Sequence, residues 1–106
     1  MNKDVRIIND RLAAQFKPVS QSRYWLQIVD NHYGGYYNIF FNHQRKWQRL
    51  RSIPLHTIKT YDLAYLETVV HDLQQLTQLT IVYDGFTDQY WPQSQRLIQR
   101  KKHGYE

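Results

Sequence analysis

Histidines stand at 32, 43, 56, 71 and 103, and carboxylates at 4, 10, 30, 62, 67, 72, 84, 88 and 106. Imidazole and carboxylate are the side chains that hold zinc or move protons, so their spacing decides whether such chemistry is encoded. No two histidines are four residues apart and no His-Glu-x-x-His occurs. Only the fold could bring His56 and His71 together. The loop Asp84-Gly85-Phe86-Thr87-Asp88 has two carboxylates that could face a divalent ion, but it reads better as a turn aspartate followed by a surface aspartate. Ser20, Ser22, Ser52 and Ser94 have no neighbouring histidine or acid that suggests a triad, and there is no glycine-rich phosphate loop. The chain has no cysteine, which excludes disulfides, thiolate zinc sites and a cysteine nucleophile. The expectation is a protein that is not an enzyme, without cofactor or metal.

The residues that do suggest chemistry are aromatic and basic. Sixteen aromatic residues and a net charge of +5 accompany a pI near 9.6. The charge is segregated. Residues 31–59 hold five bases and no acid, residues 60–95 hold five acids and no Lys or Arg, and Arg96, Arg100, Lys101 and Lys102 follow. Trp25, Phe40 and Trp47 lie close to the first basic cluster, Arg45, Lys46, Arg49 and Arg51. Rings stack bases and guanidinium groups neutralise phosphates, which is the chemistry of single-strand binding.

Those side chains need a sheet to hold them. Val5, Ile8, Leu12 and Phe16 recur with helical period, so residues 4–16 are expected to form a helix that ends before Pro18. Residues 23–30 and 36–42 read as strands around a turn at 30–35, and 46–52 as a third, weaker strand after a four-residue loop. Leu66, Val69, Val70, Leu73 and Leu76 stripe a helix over about 61–77, capped by Thr60. Residues 80–84 read as a strand buried on both faces. A last helix is expected over about 93–102, with 103–106 frayed. The fold class is therefore α+β, one domain over 1–106, in the order α-β-β-β-α-β with an optional final helix. It comprises a three-stranded meander, a crossover helix and a fourth strand. The order is similar to that of restriction-endonuclease-like nucleases. Their metal site, however, needs carboxylates on the second and third strands, and Tyr36–Asn42 and Lys46–Arg51 contain none.

Strand parity sharpens the expectation. Pairing Val29 with Tyr36 puts Tyr24, Leu26, Ile28, Tyr37, Ile39 and Phe41 on one apolar face. The other face then carries Trp25, Phe40 and Trp47 in a row, with Arg49 and Arg51 beside them. Either a helix covers this row as core, or it is an open platform. The expected partner is nucleic acid, single-stranded for preference, or else a nucleic-acid-binding protein on which an accessory or inhibitor module docks. A homodimer burying the platform is a third arrangement. No run reaches the roughly 18 apolar residues of a membrane span, and Asp4, Arg6 and Asn9 interrupt any secretory leader, so a cytoplasmic location is expected.

Overall fold

The computed structural model describes residues 2–16 and 21–99. The first helix, α1 (Lys3–Gln15), opens on Asn2, whose Oδ1 accepts the Asp4 backbone N–H at 2.7 Å. Val5, Ile8 and Leu12 are buried as their spacing requires, and Phe16 closes the helix half-buried. Strands β1 (Ser22–Asn31), β2 (Tyr36–Arg45) and β3 (Arg51–Ile58) follow, then α2 (Leu63–Leu76) and β4 (Thr80–Asp84). The order is the expected α-β-β-β-α-β. Asp62 rather than Thr60 caps α2, with its carboxylate accepting Tyr65 N–H at 3.3 Å. Leu66, Val69, Val70 and Leu73 are buried, while Leu76, the last residue of the helix, is exposed.

The sheet order is β3-β2-β1-β4, with β4 parallel to β1 and the other pairs antiparallel. The first hairpin is tighter than expected: Asn31 pairs with Tyr36 and Val29 with Asn38. The cause is local. Asn31 folds the turn onto itself, its backbone oxygen accepting Gly35 N–H and its Oδ1 accepting Gly34 N–H, and Gly35 takes the left-handed φ of 72°. The shift is two residues, so every side chain keeps its expected face.

Three expectations are corrected. The third strand runs 51–58, not 46–52. Residues 46–50 form the hairpin loop instead, turned by Trp47 at φ 69° and by Gln48 N–H to the Arg45 carbonyl. Leu50 is accordingly exposed. Pro54 fits this strand because β3 is an edge and carries a bulge, where the missing N–H costs no ladder bond. Strand β4 is not interior but an edge, so its residues alternate between exposed and half-buried. The last helix is absent over 93–99, because Gln95 takes φ 61° and the chain reverses through a Tyr90–Leu97 bridge. Glu67 of α2 accepts Gln93 N–H and Ser94 N–H at 2.8 and 3.1 Å, using the donors a helix would have left free. Arg100, Lys101, Lys102 and residues 103–106 lie outside the described residues.

Both helices pack on one face of the sheet, around Leu26, Ile28, Tyr37, Ile39, Phe41, Leu55 and Ile58. Phe86 and Ile98 bring the C-terminal segment into the same core. A polar tie joins three elements at the start of α1. Asp4 accepts hydrogen bonds from His56 of β3 at 2.6 Å and from Tyr65 of α2. Burial alone would raise the Asp4 carboxyl. The Tyr65 and His56 hydrogen bonds and the charges of His56 and Lys3 outweigh it and hold the group below the ordinary aspartate range. Its folded value lies below its unfolded one, so the stability it adds is complete above about pH 4 and is lost as pH falls through the lowered value. Asp4→Asn should therefore destabilise the protein near neutrality by about 1 kcal/mol or less, solvent screening the pair. In urea melts the gap between variant and parent should narrow as pH falls below about 4; a gap constant with pH would show that Asp4 is no such tie.

Among the described residues no helix is long and apolar enough to cross a membrane.

Candidate functional site

The period of two along a strand sends Arg23, Trp25, Gln27 and Val29 away from the core. Gln44, Asn42, Phe40 and Asn38 of β2 stand opposite them, with Thr80, Val82 and Asp84 of β4 on the other side. None of the apolar side chains on this face, Trp25, Val29, Phe40 or Val82, belongs to the core or packs against it. Trp25 and Phe40 are half-buried, and Val82 is exposed. Among the described residues, then, no helix covers the face.

Trp25 pairs with Asn42, and Phe40 with Gln27, so the two rings are diagonal neighbours. Diagonal positions are about 7–8 Å apart, within reach of aromatic side chains. The other diagonal is polar: Asn42 Nδ2 donates to Gln27 Oε1 at 2.9 Å. Asn42 is only 2% exposed, and its Oδ1 is buried without a hydrogen bond, a state that costs about 1–3 kcal/mol.

The tryptophans do not form the expected row. Trp47 sits in the 46–50 loop, 92% exposed, with the Lys46 ammonium 5.5 Å from its ring centre. It lies beyond the end of the β1–β2 pair rather than across the sheet. Lys46 N–H bonds the Gln21 carbonyl, fixing the loop to the start of β1. A cleft of about 470 Å³ there is lined by Arg23, Gln44, Lys46 and Trp47, among others. A second cleft of about 370 Å³ is lined by Arg23, Trp25, Thr80 and Val82. Arg23 belongs to both, so one surface runs from Val82 past Trp25 and Arg23 to Trp47. Arg23, outside both basic clusters, stands two residues before Trp25 on the same strand face, and that spacing is the sequence signal for it.

The basic residues divide. Arg49 is exposed in the loop. Arg51 pairs with His43 on the helix side of the sheet, not on the open face, because the true strand starts there. Arg45, opposite Ser22, shares that side and also borders the Trp47 cleft. Arg96, the one described member of the second cluster, lies near Tyr83, Trp91 and Glu67, at the β4 edge. No carboxylate lies within ion-pair distance of Arg23, Lys46 or Arg49 among the described residues. Asp84 is at the far end of the open face, paired with Val29.

The candidate ligands for metal stay apart. His56 is taken by Asp4, and His71 lies 3.9 Å from Asp72. Among the described residues no group of three or more histidine or carboxylate side chains is placed to hold an ion. The Asp84–Asp88 loop is fastened instead to Asp30. Gly85 has φ 87° and a Cβ there would stand 2.8 Å from the Asp30 carbonyl oxygen. Asp30, buried, accepts Tyr61 O–H at 2.7 Å and Gln89 Nε2–H at 3.3 Å. That bond, with burial, pushes the Tyr61 phenol up to about 12, so it is a structural donor and no proton acceptor near neutrality. Comparison with family models, with curated proteins and with solved structures finds no match to this chain.

Proposed function

We propose that the chain binds single-stranded nucleic acid along the open sheet face. In this reading bases stack on Trp25 and Phe40, and the phosphate backbone follows Arg23, Lys46 and Arg49 toward Trp47. The observation that carries it is the face left open among the described residues: two large rings, half-buried and outside the core, on the same surface as cations with no carboxylate partner among those residues. Soluble domains rarely leave such rings without a use, and stacking tolerates any base because every base has a π-face. The module works in the cytoplasm and by binding alone.

Titration with a short oligothymidylate, read by tryptophan fluorescence, tests this. Three or four phosphate contacts on a single strand give a log–log salt slope of about −2 to −3. Replacing Lys46 and Arg49 by glutamine should flatten it by about 1–2 units. Binding that ignores salt would rule out the phosphate footprint. The exposed Trp47 favours a second reading, docking on a nucleic-acid-handling protein, since tryptophan anchors protein interfaces. On that reading the oligonucleotide leaves the fluorescence unchanged.

A further inference from the structure

The opposite side of the same strand ends holds a different arrangement, one that the open-face reading does not use. Tyr24, Phe41 and His43 stand on the helix side of β1 and β2, beyond the last turn of α1. The Tyr24 and Phe41 rings are 5° from parallel with centres 5.8 Å apart, and His43 completes a triangle with them, 6.1 Å from Tyr24 at 21° and 6.0 Å from Phe41 at 26°. Phe16 closes the inner end at a tilt, 4.9 Å from Tyr24. Phe41 is buried while Tyr24 and His43 are half-buried, so along β2 His43 is the outer ring.

Two guanidinium groups bracket that outer ring. Arg51 is the direct cross-strand partner of His43, which places their Cβ atoms about 4.5–5.5 Å apart. Arg45 is two residues further along β2 on the same face. All three residues line one cleft of about 350 Å³, together with Tyr24 and Gln48. Among the described residues neither guanidinium has a carboxylate within ion-pair distance or a hydrogen bond. Two permanent like charges on one small surface repel each other, and an anion between them removes that cost. A cleft of this size fits a small ligand.

We propose that this cleft binds a phosphate monoester carried on a nucleoside: the phosphate lies between Arg45 and Arg51 and the flat base packs against the His43 ring. Two sources share that chemistry, a free mononucleotide and the 5′-phosphorylated end of a strand. Guanidinium forks match phosphate oxygens two at a time, and parallel rings accept a further ring by offset stacking.

The test is a titration of the full chain with AMP, followed by NMR. The expected result is movement of the His43 ring and Arg51 side-chain signals while the Trp25 indole signal stays in place. Adenosine and ribose 5-phosphate, each carrying half of the ligand, should bind at least about tenfold more weakly. Arg51→Gln and Arg45→Gln, both at exposed positions, should each weaken AMP by at least about tenfold, with a dispersed amide spectrum showing that the fold is kept. A 5′-phosphorylated tetrathymidylate that moves the His43 signals where its 5′-hydroxyl counterpart does not identifies strand ends as the source. Equal behaviour of the two, with AMP still preferred, identifies free nucleotides. The proposal is overturned if millimolar AMP leaves His43 unmoved, or if both arginine variants bind AMP as the parent does. Because Trp25 reports the open face and His43 this cleft, failure of either site is read separately from the other.

Discussion

Proline at Val70 should abolish the fold. Val70 is buried in the middle of α2, one turn from Leu66 and Leu73, on the face that packs against α1 and the sheet. Proline removes a backbone N–H and drives its ring into the carbonyl four residues earlier, at about 3 kcal/mol or more. The kink also swings Leu73 and the whole second half of the stripe away from the core. Domains of this size hold only about 5–15 kcal/mol in all. Leu73→Ala, which leaves the helix straight, is the milder companion and should cost about 2–5 kcal/mol. Circular-dichroism melts and urea titrations measure both. A Val70→Pro protein that melted within a few degrees of the parent would show that α2 is not the central support described here.

The helices were readable because apolar spacing and burial coincide in them: Val5, Ile8 and Leu12 in α1, and Leu66, Val69, Val70 and Leu73 in α2, are all buried. Sheet faces were readable for a related reason. A register error of two residues preserves parity, so Leu26, Ile28, Ile39 and Phe41 still fell on the core side. What misled was chemistry that propensity does not encode. Trp47 and Arg49 look like strand residues, but a positive φ at Trp47 makes them a loop. The third strand continues through Pro54, past its expected end at 52, because a bulged edge strand accepts proline. Pro92-Gln93-Ser94 reads as a helix start, and the donors it offers are taken by Glu67 from another helix. The last two depend on partners distant in sequence. Of the site, Trp25 and Phe40 share the open face as parity implied, whereas the row with Trp47 and the inclusion of Arg51 failed with the third strand's boundary.

The second large effect concerns Trp25. On the open face Trp25→Ala should leave the urea midpoint close to that of the parent, since the ring lies outside the core. Oligothymidylate affinity should fall by about 1–3 kcal/mol, which is roughly fivefold to 150-fold. Phe40→Ala, at the diagonal position, should act the same way and less than additively with it, because neighbouring platforms share a ligand. The contrast with a buried aromatic is sharp: truncating a core ring costs about 3–5 kcal/mol of stability. If Trp25→Ala lowered stability by that amount and binding only in proportion, the ring would be structural. If affinity did not change while the protein stayed folded, the open face would not be the binding surface.

The parallel pairing of β4 with β1 also constrains how the chain comes to be folded. The β1–β2 hairpin closes over a four-residue turn, but Trp25 waits for Thr80, about 55 residues later. Hairpins form in about 1–10 μs, whereas a contact so distant in sequence bears the entropy of closing a long loop. On the ribosome, at about 5–20 residues per second, the outer backbone of β1 spends seconds with its N–H and C=O groups unpaired. During that interval it is a template for other nascent strands. The polar residues on its open face, Arg23 and Gln27, are then its safeguard against self-association.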